Sequence, residues 1–199
     1  MFTGIIETIG TIQNIDKQQD NIVFRVQSPI SEALKIDQSI AHNGVCLTVT
    51  KIVGDVHYVT AIHETLQKTN LGTWQEGSIV NLERCMPATG RFDGHFVQGH
   101  IDQTAVCTFV GDEKGSWRFV FEYDFSKGNF TVEKGSISVN GVSLTVVDSQ
   151  IGRFGVAIIP YTYAHTNFQQ ISVGTMVNLE FDIIGKYLKR IFDLQSTSY

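Results

Sequence analysis

The sequence predicts an all-β fold: two tandem barrels related by duplication, followed by a C-terminal α-helix. Three observations carry that prediction. Residues 39–49 read SIAHNGVCLTV and residues 136–146 read SISVNGVSLTV, eight of eleven positions identical at an offset of 97. The same offset relates GSIVNLE at 77–83 to GTMVNLE at 174–180, and Thr69-Asn70 to Thr166-Asn167. Helical periodicity, finally, is scarce until the last stretch of the chain.

Short alternating or β-branched runs fill each copy, at 22–26, 45–49, 56–62 and 79–82, then at 117–123, 154–159 and 177–181. Gly, Asn and Asp punctuate them. Asn43-Gly44 and Asn140-Gly141 sit at equivalent places and predict tight turns, because both residue types tolerate positive φ. Many short strands in a unit of under about a hundred residues favour a closed antiparallel barrel, which leaves no open edge. Short helices are expected at 65–71 and 162–168. The segment around 86–94, with Pro87, Gly90 and Gly94, links the copies. From 183 to 194 apolar residues fall at 183, 184, 187, 188, 191 and 194, a helical stripe, with Lys186, Lys189 and Arg190 on other faces. That stripe suits packing on its own barrel and meeting copies of itself equally well. The organisation read from these signals is 1–95, first barrel; 96–183, second barrel; 184–199, helix and tail.

A hydrophobic content of 42%, a charged content of 18% and a net charge of −5 describe an ordinary globular chain without a phosphate-binding stripe. No nucleic-acid partner is expected. No apolar run reaches the roughly 18 residues of a membrane span, and MFTGIIETIG lacks the basic start of a secretory signal. The three cysteines, Cys46, Cys85 and Cys107, are odd in number and widely spaced. A disulfide framework or a metal site is therefore not expected, and a reducing cytoplasm is the natural compartment.

Chemistry could sit where the copies differ. Cys46 follows the first tight turn, and Ser143 takes its place in the second copy. A lone strand cysteine is usually a small buried hydrophobe. Here both copies present a small polar atom, and Thr48 and Thr145, two residues on, share its face. Such a pair suits a planar polar heterocycle. Ser39 and Ser136 form another matched pair, each by default a turn residue. His95 and His100 occur in GHFVQGHID; five apart on a strand they would face opposite ways, which argues against a metal pair. Either could carry a proton, whereas His42, His57, His63 and His165 read as structural or surface residues. At an offset of 95, Gly4-Ile5-Ile6 matches Gly99-His100-Ile101, so histidine enters one copy only. Gly4 and Gly99 suggest close backbone approach, and Asp182 is placed to cap the tail helix.

MFTGIIE, AHNGVCLTV, ETLQKTNLG, GHFVQGHID and GVSLTVV, in this order and almost end to end, closely resemble the riboflavin synthase alpha-chain family. The resemblance implies two six-stranded Greek-key barrels, a homotrimer formed through the C-terminal helices, and no cofactor or metal. It implies dismutation of two 6,7-dimethyl-8-(D-ribityl)lumazine molecules to riboflavin and 5-amino-6-(D-ribitylamino)uracil, at a site between the N-terminal barrel of one subunit and the C-terminal barrel of a neighbour. Association with the lumazine synthase that makes the substrate stays open. Carried onto this chain, the functional positions are Cys46, Ser39, His100, Asp182 and Phe2. Substrate contacts map in the first barrel onto Gly4, Ile5, Ile6, Cys46, Leu47, Thr48, Thr60, Ala61, Ile62, His63, Glu64 and Thr65. In the second they map onto Gly99, His100, Ile101, Lys134, Ser143, Leu144, Thr145, Ala157, Ile158, Ile159, Pro160, Tyr161 and Thr162. One departure is Val45, where members often carry a second cysteine. A non-catalytic fluorescent antenna protein that holds a lumazine or flavin is the rival reading; retention of Cys46, Ser39 and His100 favours the enzyme.

Overall fold

The computed structural model describes residues 1–196. Six strands close the first barrel: β1 (Thr8–Gln18), β2 (Asn21–Gln27), β3 (Ser39–His42), β4 (Val45–Val53), β5 (Val56–Ala61) and β6 (Ile79–Arg84). Six more close the second: β7 (Gln103–Asp112), β8 (Trp117–Tyr123), β9 (Ser136–Val139), β10 (Val142–Gln150), β11 (Arg153–Ile158) and β12 (Met176–Phe181). Around the first barrel the order is β1-β2-β5-β4-β3-β6, and the second has the equivalent order, all pairings antiparallel. Because β2 pairs with β5 across the intervening β3 and β4, the connectivity is Greek-key. Each barrel is filled by its own apolar cluster, around Phe24, Ile40, Val49 and Leu82 in one and Phe119, Phe121, Ile137 and Leu179 in the other.

The tight turns are as the sequence predicts: Asn43 and Gly44 have φ of 46° and 78°, Asn140 and Gly141 of 46° and 81°. The two short helices, α1 (His63–Lys68) and α2 (Pro160–His165), begin two residues earlier than expected and stop sooner. Pro160 sets the start of α2, its fixed φ matching a first helical turn. Thr69 and Thr166 end the helices in extended backbone, and their hydroxyls then cap 3-10 turns by accepting from Leu71 N and Phe168 N.

Six buried asparagines join the barrels about a pseudo-two-fold axis. Asn43, Asn70 and Asn81 of one half are matched by Asn140, Asn167 and Asn178 of the other. Asn81 Nδ2 donates to Asn140 O and Asn167 Oδ1, and Asn178 Nδ2 donates to Asn43 O. Asn167 N donates to Asn81 Oδ1 and, symmetrically, Asn70 N to Asn178 Oδ1. At the axis the two turns touch: a Cβ on Gly44 would lie 2.7 Å from Gly141 N, and one on Gly141 2.7 Å from Gly44 N. The contact requires glycine on both sides.

The first barrel also encloses a hydrogen-bonded chain that the second lacks. His42 Nδ1 lies 3.2 Å from Ile40 O, His42 Nε2 2.8 Å from His57 Nε2, His57 Nδ1 2.8 Å from Ser31 Oγ, and Ser31 Oγ 2.8 Å from Ser28 Oγ. A carbonyl only accepts, so His42 is protonated on Nδ1, His57 on Nε2, and the serines donate in sequence. Both rings are neutral; burial pushes His42 well below its usual range and His57 down to about 4. The second barrel has Val139 and Phe154 at the matching positions.

The tail helix α3 (Ile183–Ser196) buries none of its residues. Ile184, Tyr187, Leu188, Ile191, Phe192 and Leu194 are all exposed. Asp182 Oδ1 accepts from Ile184 N and caps the helix as expected, and Lys186 Nζ reaches Asp102 at 2.6 Å. Residues 197–199 of the expected tail lie outside the described residues. No helix among the described residues is long and apolar enough to cross a membrane.

Candidate active site

The halves exchange segments. Residues 4–6 reach across to the second barrel and residues 99–101 to the first, while Phe2 and Thr3 stay on the first barrel through Ala41, Cys46 and Glu83. Ser143 N donates to Gly4 O at 2.8 Å, and Cys46 N donates to Gly99 O at 2.9 Å. Ile6 packs on the second core and Ile101 belongs to the first. Gly4, whose N–H is held by Glu83 of the first barrel, thus meets Ser143 of the second, and Gly99, held by Glu180 of the second, meets Cys46 of the first. Sequence order could not reveal this, because the segments pair across the duplication.

Phe2 anchors the exchange. It is fully buried, its N–H donates to Val97 O at 2.8 Å, and it packs with Val97, Ala41, Cys46 and Cys85. The glycines do what positive φ allows: a Cβ on Gly99 would meet Cys46 Cβ at 2.5 Å, and one on Gly4 would meet Ser143 Cβ at 2.6 Å. Two glutamates hold the exchanged segments. Glu83 accepts from Thr3 N, Thr3 Oγ1 and Gly4 N; Glu180 accepts from Gln98 N, Gly99 N and His100 N, at 2.6–3.1 Å. Burial pushes the Glu180 carboxyl up to about 7 against those donors and the nearby Lys186 charge; Glu83 is raised for the same reason. Sequence reasoning did not single these glutamates out. Their signal was the repeated VNLE, an acidic residue kept in both copies of a strand that has to be buried.

Cys46, Gly99, His100 and Ile101 line one open pocket of ≈ 230 Å³ with Val45, Glu64, Thr65, Lys68 and Thr69. Cys46 and Thr48 sit on the outer face of β4, Leu47 between them in the core. Burial raises the Cys46 thiol above its ordinary value, with a Ser39 hydrogen bond pulling the other way. The resting group is thus the thiol, not the thiolate. Ser39 opens β3 in register with Thr48, and its carbonyl accepts from Cys85 Sγ. Thr60 stands partly exposed on β5, Ala61 is in the core, and Ile62, His63 and Glu64 are exposed at the start of α1. His100 is exposed at the pocket edge, its backbone N–H held by Glu180.

Around Ser143 the second cradle repeats this frame. Thr145 is exposed on the outer face of β10, Leu144 packs on the core, and Ala157 faces outward on β11 with Ile158 inside. Ile159, Pro160 and Tyr161 are exposed and Thr162 half-buried at the start of α2. Lys134 is exposed at φ 62°, its N–H bound to Val146 O, and Glu133 lies 4.0 Å from its ammonium. The stretch with His95 and His100 forms no ladder strand beyond the bridge of Val97 to Phe2. His95 is buried with Nδ1 2.6 Å from Ser143 Oγ, so the two histidines serve different cradles.

A family model described as the lumazine binding domain matches residues 3–85 and again 98–182. Riboflavin synthases of Actinobacillus pleuropneumoniae and Bacillus subtilis (strain 168) are each 41% identical over 191 residues, covering 96% of this chain and 89% of the relative. That of Mycobacterium bovis is 39% identical over 197 residues, covering 96% and 98%. The crystal structure of LumP complexed with riboflavin superposes with a TM-score of 0.83 at 26% identity, covering 90% of this chain and 98% of that one. The chain therefore belongs to the riboflavin synthase family, built from two lumazine-binding domains.

Proposed function

We propose that the chain catalyses dismutation of 6,7-dimethyl-8-(D-ribityl)lumazine. One lumazine gives a four-carbon unit to the other, releasing riboflavin and 5-amino-6-(D-ribitylamino)uracil with no external oxidant or reductant. The supporting observation is the pair of cradles with one backbone frame and unequal side chains: Cys46 against Gly99 and Ser143 against Gly4. Matching frames suit two copies of one substrate; unequal groups let one copy act as donor and the other as acceptor. Holding two rings together removes an entropic barrier worth up to about 7–11 kcal/mol in ideal cases.

His100, at the edge of the Cys46 pocket, helps remove the proton from the acidic C7 methyl of one ring in this reading. Cys46, protonated at rest, is a hydrogen-bonding partner to the other ring or to the hydroxide that adds to it. The exposed apolar face of α3 supports self-association, and three copies are proposed; light scattering that gives the mass of one chain at micromolar protein would contradict this. A cytoplasmic location fits the free cysteines; recovery of the protein in the periplasmic or secreted fraction of cells would refute it.

Anaerobic incubation of the purified protein with the lumazine tests the activity. Riboflavin accumulating over many turnovers supports the enzyme. A ligand that stays bound, fluoresces and is recovered unchanged establishes the antenna reading instead.

A further inference from the structure

The two cradles share a backbone frame, but only one carries an imidazole bonded to its polar residue. Ser143 Oγ lies 2.6 Å from His95 Nδ1, and His95 is only 9% exposed. The His95 backbone N–H donates to Thr3 O at 3.1 Å, and the preceding Gly94 is packed so closely that a Cβ there would fall 1.9 Å from Thr3 O. The ring is thereby fixed on the segment that also presents Gly4 to Ser143. Among the described residues its Nε2 is buried without a hydrogen-bond partner. Cys46 has Ser39 as its neighbour and, among the described residues, no imidazole bonded to it.

Resting on the lumazine-binding reading above, we propose that His95 is a positioning residue for the second cradle: it takes the Ser143 hydroxyl proton as a hydrogen bond, so that Ser143 presents an acceptor oxygen to an N–H or ribityl O–H of the bound ring. The first cradle, with a thiol at that point, presents a weak donor instead. The pair therefore distinguishes the two rings by hydrogen-bond polarity, in addition to residue type. An amide oxygen two bonds from Cβ can stand in for Nδ1, which makes His95→Asn the conservative variant; His95→Gln carries its amide one bond further out, past Ser143.

Riboflavin is the probe, in equilibrium titrations of its fluorescence with the full chain. Wild type is expected to bind in two classes. Ser143→Ala and His95→Ala should each weaken one class about tenfold, the loss of one hydrogen bond. His95→Asn should stay within about threefold of wild type, His95→Gln should behave like His95→Ala, and the His95→Ala/Ser143→Ala double variant should be no weaker than Ser143→Ala. The proposal is overturned if His95→Ala leaves wild-type binding unchanged, if it weakens binding equally in the Ser143→Ala background, or if Asn fails to rescue. Should His95→Ala not fold, Asn, Gln and Ser143→Ala decide alone: Asn must bind more tightly than Gln. Wild type that binds no riboflavin would instead overturn the ligand reading, and this proposal with it.

Discussion

Gly99 is where the site is most easily broken without touching a polar group. It sits at φ +84°, and an added Cβ would meet Cys46 Cβ at 2.5 Å, Phe2 Cε2 at 2.9 Å and Cys46 N at 3.0 Å. Left-handed backbone costs alanine about 1–2 kcal/mol, and overpacking a fixed neighbour about 1–3 kcal/mol. Cys46 cannot retreat, because it is held within β4 and its N–H is bonded to Gly99 O at 2.9 Å. Relief has to come from segment 97–101 lifting away, which moves His100 and opens the pocket. Gly99→Ala should therefore lower stability by about 3 kcal/mol and lumazine turnover by more than tenfold. Gly54→Ala is the control: φ +57° with nothing within 4 Å of an added Cβ, so only about 1–2 kcal/mol of backbone strain and full activity are expected. Urea unfolding and initial rates of riboflavin formation measure both. If the two variants match in stability and rate, the close approach of Gly99 to Cys46 has no functional meaning.

Other outcomes follow from the same geometry. Asn81→Ala removes three bonds across the barrel junction and orphans Asn167 N and Asn140 O, so it should cost about 3 kcal/mol or more and split urea unfolding into two transitions; a single unshifted transition would contradict this. His42 and His57 have folded pKa values below the unfolded 6.5, so the unfolded chain binds more protons and their contribution falls as pH drops from 6.5 toward about 4, each by about 1.4 kcal/mol per pH unit. Glu180, raised from 4.5 to about 7, has the opposite sign: its effect lowers stability as pH rises between those values. A His42→Val/His57→Phe variant, copying the second barrel, should lose the acid-side slope and expose the Glu180 slope in urea midpoints from pH 4.5 to 7. Cys46→Ser should retain more turnover than Cys46→Ala, since the buried thiol acts protonated; equal losses in both would point to an obligatory thiolate.

Much of the fold was legible because the chain states it twice. The recurring Asn-Gly turns, VNLE strands and Thr-Asn pairs located the two barrels, and the spacing after 183 located the tail helix. The crossing of residues 4–6 to the second barrel and of residues 99–101 to the first was not legible. Local periodicity reports which face of a strand is buried, whereas the partner of a segment that joins no ladder depends on long-range packing. The paired asparagines were visible as repeats, yet their meaning required knowing that both Asn-Gly turns meet at one axis. The short helices stop sooner than the sequence suggests because Thr69 and Thr166 look like helix residues but serve as caps of the following turn. His42 and His57 read as structural or surface histidines; that they bond each other follows from His42 of β3 and His57 of β5 both pointing into the first barrel, a relation that spacing does not encode. In the sequence His95 reads as a candidate proton carrier; its bond to Ser143, 48 residues away, is not encoded in spacing.

The most direct measurement mixes unlabelled lumazine with lumazine carrying ¹³C in its four-carbon dimethyl unit and weighs the riboflavin formed. Transfer between two rings held in unequal cradles gives three mass classes, with the mixed one most abundant at equal input. Riboflavin drawn only from unmixed pairs, or no riboflavin at all while the lumazine remains bound, would contradict a dismutation at a double site.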